Sequence, residues 1–291
     1  MLANPATKRQ DQWVKATTSG LMALLYVLLS VIAIANIIPF LWMLASSFKE
    51  RGDVFSYPPS FIPNPFVMDA YERLFTQIPF VRQFLNTLFI AGTVTLGQLF
   101  FCSMSAYAFA RIEFPGRDTL FVLVLATMMI PGQVTLIPSF VLMRLFGWVD
   151  SYNALILPPL FFSAFGIFLL RQFFMTIPVD LGDAAVIDGA GYFRTYWQVM
   201  LPLTRQSLAT FGLFTFMWHW NNFLWPLIVM NSRDKMPLTV GLAFLTQGPF
   251  GRIDWPELMA GSTFSILPIL ALFVFLQRYF VEGIVLTGIK G

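Results

Sequence analysis

The chain has 291 residues, 57% of them hydrophobic and 17% aromatic, with only 11% charged and a net charge of +3. Soluble domains carry about 25% charged residues, so this balance, with a mean hydropathy of +0.71, excludes disorder, a collagen-like repeat and an ordinary soluble enzyme. Eighteen basic against fifteen acidic residues is too even for a nucleic-acid surface, and a single Cys102 and a single His219 exclude a disulfide, a cysteine-built metal site and a paired-histidine zinc motif.

Residues 1–20 form a polar tail carrying Lys8, Arg9 and Lys15, followed by the first of six stretches without Asp, Glu, Lys or Arg. These run Leu21–Phe48, Gln83–Ala110, Thr119–Met143, Ser151–Leu170, Gln206–Ser232 and Leu258–Gln277, and all 33 charges fall outside them. Each is long enough to cross a bilayer as a helix of about 20 residues, the only open form that satisfies its backbone in lipid. The predicted fold class is therefore an all-α membrane protein of six transmembrane helices. The first span follows twenty polar residues and has no clear small-x-small site, so it reads as an anchored helix and not a cleaved leader. Two other uncharged runs read as extramembrane loops: 54–68, with Pro58, Pro59, Pro63 and Pro65, and 236–251, broken by Pro237 and Gly248-Pro249. Six spans put both termini on one side. That side carries ten basic residues against eight on the other, and three lie just ahead of the first span, which favours cytoplasmic termini.

The long loop between the fourth and fifth spans is the most informative stretch. Pro178 precedes a helix for which Asp180 is a plausible N-cap, and Leu181, Ala184, Ala185 and Asp188 share one face at i, i+3, i+4 and i+7. Gly189 is placed to end it, and a second short helix fits 192–199 before Pro202 leads into the fifth span. The small face of Ala184 and Ala185 would admit another protein's surface, with Asp183 and Asp188 offering carboxylates; a solvated connector resting on the membrane fits the same residues.

In the fifth span Trp218, Asn221, Asn222 and Trp225 fall at i, i+3, i+4 and i+7, an aromatic-and-amide stripe. Rings meet the C–H faces of sugars and amides meet hydroxyls, so the stripe suits a carbohydrate path; Asn bonded to a neighbouring helix and Trp packed in a bundle is the structural alternative. His219 and Trp220 point away from the stripe, and no charged residue lies in any span to titrate with His219. Cys102 reads as a small packing residue.

The string Asp183-Ala184-Ala185-x-x-Asp188-Gly189-Ala190, with Leu201-Pro202 downstream, resembles the E-A-A-x-x-D-G-A motif of the membrane subunits of ABC importers. Ala106-Tyr107-Ala108-Phe109-Ala110-Arg111, Ile130-Pro131, Trp220-Asn221 and the ending Gly288-Ile289-Lys290-Gly291 are similar to the carbohydrate branch, and the tail resembles the second permease of maltose-type systems. The resemblance covers roughly 21–291 and implies a type I importer permease fold. A permease domain would occupy 21–284, with a coupling loop at 178–202 and a cytoplasmic tail at 285–291.

What the resemblance implies is specific. The loop would be a coupling helix docked on a cytoplasmic ATPase, with Asp183, Ala184, Ala185, Asp188, Gly189, Ala190 and Pro202 forming the contact. Asp183 stands in the place of the motif's Glu and is one methylene shorter. The tail, with Lys290, would insert between two ATPase subunits; it nearly spells a phosphate loop, but the Lys is one place late and no Ser or Thr follows. Gln247, Asp254 and Trp255, in the outer loop, would face a substrate-binding protein, an ordinary surface loop being the alternative there. The partners implied are a second homologous permease, two ATPase subunits, an extracytoplasmic binding protein and membrane lipid, with no nucleic acid.

No cofactor is expected in this chain, ATP and magnesium belonging to the ATPases, and no catalytic or metal-ligating residue is expected. The chain is expected in a bacterial inner membrane and is not expected to be an enzyme. The solute would be a mono- or oligosaccharide, with a sugar phosphate, glycerol phosphate or polyol as the alternative. A stand-alone secondary transporter or channel usually places ionisable residues within its spans, and an intramembrane enzyme needs a nucleophile–base pair or metal set; the spans carry neither.

Overall fold

The computed structural model describes the backbone of residues 5–247 and 253–287, and the side chains of residues 20–246 and 253–278. Among them every regular element is helical. Among the described residues, four helices are long and apolar enough to cross a membrane. These are Gly20–Ser46 within α1 (Pro5–Ser46), α3 (Phe80–Arg111), Asn153–Thr176, and Trp255–Arg278 within α14 (Trp255–Thr287). The polar N-terminal segment, expected as a tail, is helical from Pro5 and continuous with the first span.

The uncharged runs are helical but not all unbroken. Residues 119–143 form α4 (Arg117–Ala126), a short 3-10 turn and α5 (Gly132–Leu145), and the two halves are bent by 96°. Pro131 accounts for the bend: it has no N–H to give, and it holds Ile130 extended at φ −86° and ψ 114°. The fourth run divides into α6 (Asn153–Leu160) and α7 (Ala164–Thr176), and the Ser163 hydroxyl oxygen caps α7 by accepting from the Gly166 amide. The fifth run divides too, contrary to the single helix expected from its composition. Helix α11 (Arg205–Trp220) stops before Asn221, and α12 (Leu224–Val229) resumes after Phe223. The run 236–251, expected as an extramembrane loop, is not irregular throughout. It contains α13 (Leu238–Phe244), whose Leu238 and Val240 are fully buried.

The chain divides into two compact units, residues 1–71 with 255–263 and residues 72–254 with 264–291. In the first, the proline-rich stretch is pinned by aromatic and polar contacts. Phe48 stacks on Phe66 at 4.5 Å, Ser47 and Tyr71 share a 2.8 Å hydroxyl bond, and the buried Lys49 ammonium donates to the Ser60 carbonyl while lying 4.2 Å over the Trp42 ring. The second unit is built around α3, against which α6, α7, α11 and α13 pack. Close approach depends on glycine: a Cβ on Gly166 would stand 2.1 Å from the Phe211 ring, and one on Gly97 would stand 2.2 Å from Leu160.

Candidate functional site

The loop between the fourth and fifth runs folds as α8 (Val179–Ile187), α9 (Tyr192–Thr195), a π-helical turn at 196–200 and α10 (Leu201–Leu203). Pro178, and not Asp180, takes the cap position, leaving Asp180 in the first turn where its charge suits the helix dipole. Gly189 ends α8 at φ +77°, a left-handed conformation that glycine adopts without steric cost, as its position in the sequence predicts.

The inward face of α8 differs from the expected one. Ala185 is buried against its own chain, and a Cβ on Gly182 would lie 3.3 Å from Met200, so Gly182 and Ala185 form the packed side. Ala185 is thus a positioning residue in this chain and does not belong to the free small face foreseen for it. The outward side presents Asp183, Ala184 and Asp188, together with Val186 at 59% and Ile187 at 85% exposure. Gly189 and Pro202 are exposed and Ala190 is half-buried.

Tyr196 anchors this segment. It is 1% exposed, its hydroxyl shares a 2.8 Å bond with Ser103 of α3, and its ring lies 5.5 Å from that of Tyr107. Burial pushes the phenol's pKa up, and the Ser103 bond only partly offsets this, so the group stays neutral. Arg111, at the end of α3, donates to the carbonyls of Phe174 and Ile177, the last turn of α7 immediately ahead of α8. Arg171 donates to the Phe109 carbonyl and lies 4.2 Å over the Phe121 ring. Arg171 therefore ties α7 to α3, Arg111 ties the end of α7 that leads into α8 to α3, and Tyr196 ties the turn after α9 to α3. In the sequence Arg111 stands out only as part of a motif; its bonds and that of Tyr196 run 63 to 93 residues along the chain and leave no local signal.

At the opposite end of α3 a second polar network holds the segment before α13. Gln83 donates to the Arg233 carbonyl at 3.0 Å, and Asn86 donates to the carbonyls of Asp234 and Met236 while accepting from the Tyr152 hydroxyl. The Thr87 hydroxyl accepts from the Leu238 amide at 2.7 Å. Asp150 closes the arrangement from a left-handed backbone conformation, φ 59°. Its carboxylate accepts from the amides of Asn231 and Ser232, the Ser232 hydroxyl and the Lys235 ammonium. Burial acts to raise this carboxyl's pKa, but the bonds from Ser232 and Asn231 and the charge of Lys235 outweigh it and hold it below the usual carboxylate range.

Between these two ends, at the break between α6 and α7, lies a cavity of about 460 Å³. Gln98, Ser163, Thr215, Trp218 and His219 contribute to its walls, the rest being mainly Phe and Pro. Gln98 donates to the Pro159 carbonyl at 2.7 Å, satisfying a group that the interrupted helix leaves unpaired.

The predicted stripe does not survive the break after Trp220. Trp218, 75% exposed as a residue, lines the cavity, and His219, expected to point elsewhere, lines the same cavity. Asn221 donates back to the Met217 carbonyl, the Asn222 carbonyl accepts from the Thr239 hydroxyl, and the Trp225 indole donates to the Ala154 carbonyl. Those three residues serve the chain turn and its packing.

Asp254 is paired with Arg73 at 3.2 Å and Trp255 packs edge-on to Phe55 at 5.2 Å. The side chain of Gln247, and all of Lys290, lie outside the described residues. No cluster of metal-binding side chains occurs among the described residues.

Long apolar helices, a polar segment tied to their ends and a cavity at a helix break define a polytopic membrane transport component. The chain belongs to the family of binding-protein-dependent transport system inner membrane components, whose model matches residues 98–285. It is 36% identical over 281 residues to an arabinooligosaccharides transport system permease protein of Halalkalibacterium halodurans, covering 95% of this chain and 100% of that one. It is 34% identical to a diacetylchitobiose uptake system permease protein of Streptomyces coelicolor, covering 88% and 85%. An sn-glycerol-3-phosphate transport system permease protein of Yersinia enterocolitica is 30% identical, covering 91% and 96%. Among solved structures, the fold is similar to a bacterial ABC transporter for import of the acidic polysaccharide alginate, with a TM-score of 0.78, 24% identity and coverage of 96% and 100%.

Proposed function

We propose that this chain is the permease subunit of an ATP-driven importer for a carbohydrate delivered by a substrate-binding protein. Its similarity across nearly its whole length to oligosaccharide permeases supports the solute class. Glycerol phosphate is the second reading, supported by the similarity to the Yersinia protein. The six uncharged runs are read as six crossings, two of them interrupted and one sharply bent, with both termini cytoplasmic. A second homologous permease, two ATPase subunits carrying ATP and magnesium, and an extracytoplasmic binding protein complete the assembly in the bacterial inner membrane.

The observation that carries this reading is the geometry of α8. Its outward face presents Asp183, Ala184 and Asp188 beside exposed Val186 and Ile187, while its inward face is fixed to the bundle through Ala185 and Tyr196. An element exposed on one side and fastened on the other transmits a push. ATP shifts the equilibrium between two states only through contacts that differ between them, so closure of the ATPases acts through this face. The tail with Lys290 is assigned the same role, and Gln247, Asp254 and Trp255 are assigned to the binding-protein side.

Affinity purification of the tagged chain, expressed with the genes beside its own, tests the reading. A complex retaining a second permease and an ATPase pair, with ATPase activity raised by the binding protein, is the expected result. Uptake by this chain alone, without nucleotide, would overturn it.

A further inference from the structure

We propose that the cavity at the break between α6 and α7 is a subsite for an uncharged sugar ring on the path of the solute; the proposal rests on the importer reading above and deepens it. Three observations meet at this place. Gln98, Pro159 and His219 each lie at the middle of their uncharged runs, 83–110, 151–170 and 206–232, so the cavity sits at half-height of three spans. Interrupted backbone at that depth is tolerated where it is buried in protein or lines a watery cavity, and transporters place their solute sites at such interruptions. The break after Leu160 borders the cavity directly, and Trp218 and His219 stand in the turn before the break after Trp220.

The lining matches carbohydrate chemistry. Trp218, an exposed residue, offers a flat ring face to the C–H side of a pyranose or furanose, and Gln98, Thr215 and His219 offer donors and acceptors for hydroxyls. A volume of about 460 Å³ falls within the roughly 300–1,000 Å³ of small-molecule sites, which are mostly apolar with a few placed polar groups. An acyl chain would leave the amide, hydroxyl and imidazole facing hydrocarbon at a cost. No Asp, Glu, Lys or Arg lies in any of the three runs, so the cavity supplies no counter-charge for a phosphate or a uronate. The occupant it fits is neutral.

The test uses the assembled importer in proteoliposomes, with Trp218→Cys and His219→Cys made separately on a Cys102→Ala background. The probes are a membrane-impermeant sulfonated methanethiosulfonate, the lipid-soluble N-phenylmaleimide, and arabinotriose with the binding protein. Both cysteines are expected to react with the charged reagent, as a water-filled path requires. Trp218→Ala should lower arabinotriose uptake roughly three- to tenfold, the scale of one aromatic contact, with Trp218→Phe recovering most of it. Reaction with the lipid-soluble reagent alone means that an acyl chain fills the cleft, and reaction with neither means a closed packing defect; either result overturns the subsite. Unchanged uptake by Trp218→Ala overturns it as well. If the unmodified assembly shows no ATP-driven uptake, the importer reading fails instead, and the labelling still decides whether the cavity holds water.

Discussion

If α8 and α9 carry the coupling proposed above, Tyr196 is the side chain that fastens them to the bundle, and two substitutions separate its hydroxyl from its ring. Tyr196→Phe removes one buried hydroxyl bond of 2.8 Å. Ser103 keeps its bonds to the carbonyls of Leu99 and Phe100, so no donor is orphaned and the cost is about 0.5–1.5 kcal/mol. Tyr196→Ala also deletes a ring that is 1% exposed and lies 5.5 Å from Tyr107 and 6.1 Å from Phe193. Truncating a buried aromatic costs about 3–5 kcal/mol. The loss falls on the 192–203 segment, because α3, α7 and α11 keep their contacts with one another. Set against attachment of that segment, it raises the detached population by roughly two to three and a half orders of magnitude. The assay is sugar taken up per ATP hydrolysed in proteoliposomes, with thermal melting measured alongside. Tyr196→Phe is expected to lower the melting temperature slightly and leave the ratio intact. Tyr196→Ala is expected to keep hydrolysing ATP while the ratio collapses. Full coupling in Tyr196→Ala would refute the claim that this ring fastens the segment to the bundle.

Three further predictions address other parts of the molecule. Asp150 has a depressed carboxyl pKa, so its contribution is fully present above the ordinary carboxylate value of about 3.9 and is lost only as pH falls through the lower folded value. Melting of the wild type between pH 5 and 8, measured by circular dichroism, should therefore show no Asp150-dependent change, whereas Asp150→Ala should show a constant deficit, and a deficit that vanishes near pH 5 would contradict this. Gly166→Ala places a methyl against the buried Phe211 ring, 2.1 Å from its tip; we expect a loss of about 1–3 kcal/mol, read as reduced yield and melting temperature, with Phe211→Leu partly restoring both. A Cβ at Gly189 would meet no atom within 4 Å, so the folding cost expected for Gly189→Asp is mainly the left-handed strain of about 1–2 kcal/mol. It should insert normally and be uncoupled, and normal ATPase copurification with wild-type transport would count against the docking role.

The uncharged runs made α1, α3 and α14 legible, since length and hydropathy alone decide that such segments are helical. The bend at Pro131 was marked by Ile130-Pro131-Gly132, yet a window for charge passes over it. The break after Trp220 contains neither Gly nor Pro; its signal was the Asn221-Asn222 pair, residues whose short side chains bond the local backbone and end helices. Reading that pair as a solute stripe assumed an unbroken periodicity of 3.6. Gly189 was correctly placed because its demand is local, a left-handed turn at a helix end. Ala185 was misplaced because which side of α8 faces inward depends on Met200 and on the packing of the π-helical turn, not on α8 itself. The Asp150 and Asn86 networks join residues 66 to 150 positions apart, a relation that one sequence does not display. His219 was set aside for want of a titrating partner, whereas its place on the cavity wall depends on helix packing.

Uptake of a labelled oligosaccharide, compared between proteoliposomes supplied with ATP and with a non-hydrolysable analogue, tests the central claim most directly. The assembly would contain this chain, its partner permease, the ATPase pair and the loaded binding protein. The account predicts accumulation against a gradient with ATP and none with the analogue, with the wild-type chain exchanged for Tyr196→Ala abolishing accumulation but not hydrolysis. Accumulation with the analogue, or with the ATPase pair left out, would contradict it.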